Sequence, residues 1–240
     1  MRTLYLDSVG STNSYLKNLV TDKTAPYLAV LAREQTQGKG RLERHWISSS
    51  GSSLTVSLLL PEIALPFQMG LLAARALCLT LIQDYQLPAK IKWPNDVLLS
   101  GKKISGILCE KIQSFTILGV GVNLNQTCFP GELSDIATSF SLESGKTIAP
   151  TDFYRHWLPR LKETLVLHQK TPGTFIENEI MPHLAWLNQL VLVDFQGLRP
   201  NLEGRLKGLS PEGFLIVQSA LNEYHTITTG DLKLWLQPSI

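Results

Sequence analysis

Two apolar runs, Lys103–Lys111 and Phe115–Val122, stand on either side of a short polar break at Gln113–Ser114. Aliphatic runs this long, joined by so short a link, close as an antiparallel hairpin. A hairpin is marginal alone in water and needs further strands and a covering layer. The chain offers both. Thr3–Leu6, Leu28–Arg33, Leu54–Leu60, Ala89–Trp93 and Val97–Leu99 read as strands, with Ser100–Gly101 turning the last of them into the hairpin. A helix capped by Ser11 or Thr12 runs through Leu19, and a long apolar helix spans Phe67–Tyr85 and ends before Pro88. Thr151–His168 is a third helix, capped by Thr151 or Asp152, which Pro159 is expected to kink or restart. A further helical piece runs from Phe175 to Leu184. The reading is an α+β fold, a mixed β-sheet with packed helices.

After Trp186 the texture changes. Val191–Phe195, Leu202–Leu209, Phe214–Gln218, His225–Thr229 and Leu232–Trp235 are short strands separated by Gly, Pro and Asn turns, the pattern of a small barrel. The expected boundary lies near Leu187, giving domains 1–187 and 188–240. A chain of 240 residues is long enough for one large core and a small second one. With 44% hydrophobic and 18% charged residues and a net charge of +2, nothing overall calls for nucleic acid. The most apolar stretch, Leu71–Ile82, is too short for a membrane span, carries Arg75, and reads as a buried helix. The N-terminus lacks the apolar core of a signal peptide. Cys78, Cys109 and Cys128 show no metal-ligand spacing. The first two are expected to be buried thiols, which suits a cytoplasmic protein.

Two glycine signals are set aside. Gly145-Lys146-Thr147 lacks the upstream glycine of a phosphate-binding loop, because Phe140 stands there. Gly119-Val120-Gly121 lacks the third glycine of a dinucleotide fingerprint, because Leu124 occupies it. The segment from Gly38 to Trp46 is different. Its two glycines permit close backbone approach, and Lys39, Arg41 and Arg44 offer charge-assisted donors to phosphate or carboxylate. Lys92-Trp93-Pro94-Asn95-Asp96 then concentrates a cation, a carboxamide and a carboxylate at one turn between apolar strands. Of the adjacent Lys102 and Lys103, strand alternation points one into a cleft.

These segments resemble, in order along the chain, the catalytic domain of biotin–protein ligases (biotin–[acetyl-CoA-carboxylase] ligases). The likeness rests on DSVGSTN, REQTQGKGR with a later Trp, KWPNDVLL, GKKISGILCE and GVGVNLN, from Asp7 to Asn125. The barrel-like C-terminus is similar to that family's small SH3-like domain. The resemblance implies activation of biotin by ATP, with Mg²⁺ on the phosphates, to biotinyl-5′-AMP. Biotin then passes to a lysine of a biotin carboxyl carrier protein. It implies that Ser11, Thr12, Asn13 and Gln35 bond the biotin ureido and carboxylate ends. Lys39, Gly40 and Arg41 would order over biotin and the adenylate, and Gly106 would let the strand backbone approach biotin. Lys103 would bridge the biotin carboxylate and the α-phosphate. Arg44, Trp46, Asn95 and Asn123 would serve the nucleotide, and Asp96 would help deprotonate the acceptor lysine. Lys103, Arg41 and Asp96 are thus the expected catalytic residues, with no protein-held metal. The family's commoner loop is GRGRRGR-x-W. Lys39 keeps charge but loses a bidentate fork, while Leu42 and Glu43 bear on loop closure. No specific DNA or membrane partner is expected, since the STN motif begins at Ser11 without room for a helix-turn-helix before it. A monomer or homodimer is expected. The nearest rival activities are lipoate ligation or octanoyl transfer; a biotin-responsive DNA-binding repressor and a non-catalytic ligand sink are further alternatives.

Overall fold

The computed structural model describes residues 1–21, 23–42, 44–62 and 64–235, without the side chain of residue 66. Seven strands form one mixed sheet in the order β1-β2-β3-β7-β6-β5-β4. They are β1 (Arg2–Val9), β2 (Leu28–Gln35), β3 (Ser53–Pro61), β4 (Lys90–Lys92), β5 (Asp96–Leu99), β6 (Lys102–Ile112) and β7 (Phe115–Asn123). Only β1 and β2 are parallel. The β6–β7 hairpin read from the sequence sits in the middle of the sheet, with Ile112 opposite Phe115 across the turn.

The sheet's two faces have different chemistry because side chains alternate along each strand. On β3, Leu54, Val56, Leu58 and Leu60 enter the main core, and on β7 Leu118, Val120 and Val122 join them. Helix α2 (Pro66–Leu79) and helix α5 (Pro150–Lys170) cover that face with Leu71, Leu77, Phe153, Trp157 and Leu161, all at most 1% exposed. The opposite face carries Ser53, Thr55 and Ser57 on β3, and Gly119, Gly121 and Asn123 on β7 in register with them. Helix α1 (Thr12–Leu19) covers only one end of it, where Leu16 packs on Val30, Leu59 and Ile117. Leu16 is fully buried, so truncation to Ala costs about 2–5 kcal/mol. The rest of this face is polar or bare, and it is left open. Ser11 caps α1, its hydroxyl accepting from the Ser14 N–H.

Several elements differ from the sequence expectation. The long second helix is α-helical only to Leu79, then winds as a π-turn over Thr80–Asp84, where the Thr80 hydroxyl donates back to the Ala76 carbonyl at 2.8 Å. Helix α5 neither kinks into two elements nor restarts at Pro159, but continues for 21 residues. Its buried face (Phe153, Trp157, Leu161, Leu165) outweighs the one hydrogen bond Pro159 cannot donate. Phe175–Leu184 is a π-turn, Ile176–Ile180, followed by a single 3₁₀ turn, Met181–His183. Two short helices, α3 (Leu133–Ile136) and α4 (Phe140–Ser144), went unread. Gly145 ends α4 in the left-handed conformation, φ 70°, which is what places a glycine in that Gly-Lys-Thr segment. Cys78 is buried, Cys109 only partly, and Cys128 is exposed; all three are free. Burial raises the thiol pKa of both Cys78 and Cys109. No described helix is long and apolar enough to cross a membrane.

The C-terminal strands β8 (Leu190–Asp194), β9 (Leu202–Leu209), β10 (Leu215–Gln218), β11 (Tyr224–Ile227) and β12 (Asp231–Leu234) form a second, antiparallel sheet in the order β11-β10-β9-β8-β12. Among the described residues β11 and β12 do not pair, so this is a five-stranded sheet rather than a closed barrel. It is joined to the first unit by the Trp93 indole N–H donating to the Gly213 carbonyl at 3.0 Å and by Phe67 stacked on Phe214.

Candidate active site

The open face of the large sheet is the floor of a cleft of about 330 Å³. At its centre Gly106 of β6 lies directly opposite Gly121 of β7. A Cβ on Gly121 would stand 2.4 Å from the Trp46 ring, and one on Gly106 would stand 3.1 Å from it. The glycine pair therefore makes a slot for a flat group, filled here by the indole. Gly119 serves a second close approach, since its Cβ would meet Asn13 Oδ1 at 2.3 Å. The Gly-Val-Gly-Val run is thus a strand with its glycines on the cleft face and its valines in the core.

One end of the cleft is a buried polar corner. Thr12 at the start of α1 donates its N–H to Gln35 Oε1 at 2.8 Å, and its hydroxyl lies 2.9 Å from the same atom. The Ser57 hydroxyl contacts Thr12 Oγ1 at 2.7 Å and Asn13 Oδ1 at 2.5 Å. Asn13 Nδ2 donates to Glu110 at 2.8 Å, and Lys17 pairs with the other carboxylate oxygen at 2.5 Å. Burial alone would raise the Glu110 carboxyl, but the hydrogen bonds from Lys17 and Asn13, with the charges of Lys17 and Lys39, bring it below its usual value.

The glycine-rich segment forms the side wall. It is a tight hairpin in which Lys39 bridges His45, Gly40 N–H donates to the Arg44 carbonyl at 2.7 Å, and Trp46 N–H donates to the Gly38 carbonyl at 3.0 Å. The glycines serve proximity here. A Cβ at Gly38 would stand 2.4 Å from the Trp46 carbonyl oxygen, while the left-handed residue is Leu42, φ 55°. Glu43, expected to influence closure, lies outside the described residues. Arg41 donates to Asn95 Oδ1 at 3.2 Å.

Opposite this wall, Asn95 is locked to β6. Its Nδ2 donates to the Ile107 carbonyl at 2.6 Å, and its own carbonyl accepts from Ile107 N–H at 3.0 Å. Asp96 sits between two ammonium groups, 2.7 Å from Lys103 Nζ and 3.8 Å from Lys92 Nζ. The shorter contact is ionic without hydrogen-bond alignment, because Asp96 Oδ1 has no donor aimed at it. Burial depresses the Lys92 ammonium pKa, and Asp96 partly restores it. Lys103 enters the cleft through a bulge: Val97 pairs with Ser105 but Leu98 with Lys103, so Ile104 is the extra residue and drops into the core. Lys102 points away and donates to the Ser134 carbonyl outside the cleft. At the far end Asn123 is buried, its Nδ2 donating to the Thr138 carbonyl at 3.0 Å.

All fourteen residues singled out in the sequence for binding or catalysis line this one cleft. Further residues of the site were not anticipated. Ser57, buried behind Thr12 and Asn13 rather than lining the cleft, left one trace, a hydroxyl in the apolar run Leu54–Leu60. Asp231 left none. It comes from β12 of the second sheet, pairs with Arg44, lies 3.9 Å from Arg41, and accepts from Gln196 Nε2 at 2.7 Å. The small sheet thereby reaches the glycine loop. Among the described residues no group of three or more His, Cys, Asp or Glu could hold a metal ion.

Comparison with known proteins agrees with this geometry. Residues 5–126 match the model of the Biotin/lipoate A/B protein ligase family. The bifunctional ligase/repressor BirA of Bacillus spizizenii is 32% identical over 232 residues, covering 90% of this chain and 69% of that protein. The biotin–[acetyl-CoA-carboxylase] ligase of Mycobacterium tuberculosis is 33% identical over 138 residues, 54% of this chain and 51% of that one. Among solved structures, the biotin protein ligase of Aquifex aeolicus in complex with biotin and ATP superposes with a TM-score of 0.85 at 29% identity, covering 98% of both chains. By the family model its residues match, by identity to a member over most of its length and by fold, the chain belongs to the Biotin/lipoate A/B protein ligase family.

Proposed function

We infer that this chain is a biotin–protein ligase. It activates biotin with ATP and transfers it to a lysine of a biotin carboxyl carrier protein. The observation that carries this reading is the convergence of the STN corner, the glycine loop and the KWPND turn on a glycine-floored cleft, in a chain whose relatives by sequence and fold are biotin ligases. The polar corner suits the ureido head, which needs both donors and acceptors. The glycine floor suits the planar cyclic urea and a base.

In the first step a biotin carboxylate oxygen attacks the α-phosphorus and pyrophosphate leaves. Two anionic groups must meet, so positive charge fixed at their meeting point lowers the barrier. Lys103 is the group proposed to bridge them, with Lys39, Arg41 and Arg44 neutralising the phosphates. ATP brings Mg²⁺ as part of the substrate. Closure of the glycine loop excludes water from the mixed anhydride. In the second step the acceptor amine attacks the acyl carbon, AMP leaves, and the amine loses a proton. Asp96 is the proposed acceptor of that proton. While Lys103 faces Asp96 the carboxylate is neutralised; once Lys103 turns to the α-phosphate, Asp96 is freed. Asn95 and Asn123 belong to the nucleotide side, with Trp46 displaced from its slot or stacked on the base. The second sheet is proposed as the family's SH3-like domain, 188–240, and the chain to 187 as the catalytic domain. A cytoplasmic monomer or homodimer without a specific DNA partner completes the reading.

The test is to incubate the protein with ATP, Mg²⁺ and either biotin or lipoate, and to look for the acyl-AMP by mass spectrometry. Biotinyl-AMP alone is expected. Lipoyl-AMP in its place would move the assignment to the other branch of the family.

A further inference from the structure

The nucleotide end of the cleft holds an acceptor with nothing to accept. Asn123 follows Gly121 on the same side of β7, is 4% exposed, and donates from Nδ2 to the Thr138 carbonyl at 3.0 Å. A carbonyl oxygen only accepts, so the Asn123 amide stands one way round, its NH₂ to Thr138 and its Oδ1 turned away. Thr138 is itself held, its N–H donating to the Lys103 carbonyl at 2.9 Å. Asn123 Oδ1 then fixes Gln126. It accepts from Gln126 Nε2 at 3.3 Å, and with that amide turned over two acceptor oxygens would face each other. Gln126 Nε2 also reaches Ser53 Oγ at 2.5 Å, but a hydroxyl can serve either end of an amide and does not decide the matter. Gln126 Oε1 is left over, buried and with no donor among the described residues.

A buried acceptor without a donor is destabilising, and this one belongs to a residue that lines the cleft together with Gly121, Asn123 and Trp46. The indole that fills the glycine slot does not serve it, because Trp46 Nε1 is also buried without a partner. Asn123 Nδ2 carries two protons, of which Thr138 takes one. A flat ring lying on Gly121 would therefore meet, at the end of β7, a donor from Asn123 beside an acceptor from Gln126. Adenine presents the complement, an amino N–H beside a ring nitrogen that accepts. Guanine puts an oxygen at the 6-position, which would set acceptor against acceptor.

We propose that Gln126 is a specificity-determining residue for the nucleotide: its Oε1 accepts the 6-amino N–H of adenine, while Asn123 donates to the neighbouring ring nitrogen. This rests on the reading of the chain as an ATP-dependent biotin ligase. Gln126 reads the base and takes no part in the charge chemistry at the α-phosphate.

The experiment compares ATP with purine riboside 5′-triphosphate, in which hydrogen replaces the 6-amino group. It measures kcat/KM for each in biotin-dependent pyrophosphate release, with the biotin KM and Tm of every variant. Wild type is expected to favour ATP about tenfold. Gln126→Met, similar in size but without the acceptor, is expected to lose about tenfold with ATP and to stay within about twofold of wild type with the analogue. The preference then disappears, while the biotin KM stays within about twofold. Gln126→Glu keeps an acceptor in place and is expected to keep the preference to within about twofold, its added charge lowering both nucleotides alike. If Gln126→Met does not fold, Gln126→Ala replaces it with the same expectations, since the residue is only partly buried. A residue that merely packs, or that reaches a ribose hydroxyl, would lower both nucleotides equally when the amide is removed. That result overturns the proposal, as does a wild type that uses the two nucleotides equally or a Gln126→Glu variant without preference. Wild-type protein that releases no pyrophosphate from ATP with biotin overturns the functional reading first and this inference with it.

Discussion

Replacing Lys103 by Ala removes the cation best placed to join two anions. Its Nζ stands on the cleft floor, 2.7 Å from Asp96 and 3.0 Å from where a Cβ on Gly106 would be, on a strand held on both sides. At ~3 Å and an effective dielectric of ~20, a unit charge pair is worth at most about 5.5 kcal/mol. Lys103 must leave Asp96 to make the new contact, so only part of that is gained in the transition state. Loss of one preorganised donor typically lowers the rate by ~10²–10³, about 2.7–4 kcal/mol, which fits beneath that ceiling. The effect on folding should be small. The lysine side chain is 37% exposed, and such pairs contribute about 1 kcal/mol or less. The assay is pyrophosphate release under single-turnover conditions, with circular dichroism and Tm to verify the fold. Lys102→Ala is the internal control, because Lys102 bonds Ser134 outside the cleft. If Lys102→Ala abolishes adenylation and Lys103→Ala does not, the bulge assignment on β6 is wrong. If neither matters, the charge argument fails.

Arg41→Gly should release free biotinyl-AMP, detected as unselective lysine labelling of a bystander protein; retention equal to wild type would remove the loop from the mechanism. Gly119→Ala should raise the biotin KM at least tenfold while the protein stays folded, because the new Cβ would have to displace Asn13. An unchanged KM would show that the corner yields to a methyl group. Biotin at 100 times its Kd should stabilise the protein by ~2.7 kcal/mol, seen as a Tm increase that lipoate does not produce. Glu110 titrates below its ordinary value of 4.5, so the stability it contributes is present above that value and lost as pH falls through the lowered one. The Tm gap between wild type and Glu110→Gln should therefore close in acid, and a gap that persists there would trace to something other than the charge.

What could be read from the chain, and what could not, divides along a physical line. Local patterns carried far: the central hairpin, the helices over the core and a helix cap at Ser11 or Thr12 all follow from spacing and turn chemistry within a few residues. Lys103 shows where local pattern stops. Strict alternation backward from Gly106, on the cleft floor, puts Ile104 and Lys102 on the cleft side and Lys103 behind the sheet. The structure does the reverse, because Ile104 is an extra residue between two registers. Nothing in the string Lys102-Lys103-Ile104-Ser105 announces a bulge; only resemblance to a family selected the lysine that faces the cleft. Asp231 lies further beyond reach. It meets Arg44 across 187 residues of chain, between two sheets whose packing no periodicity encodes. The glycines fall between these cases. Gly106, Gly119 and Gly121 are visible in the sequence, but their meaning depends on register. Only once Gly106 is set opposite Gly121 do they become a slot the width of an indole, and only with Asn13 against Gly119 does the corner gain a fixed orientation. The binding face is thus specified by side chains that are missing as much as by those present. A ligand can lie flat on the sheet because Gly, Ser and Thr alternate with Leu and Val along β3 and β7, which gives one sheet a sealed core on one side and an empty, polar floor on the other.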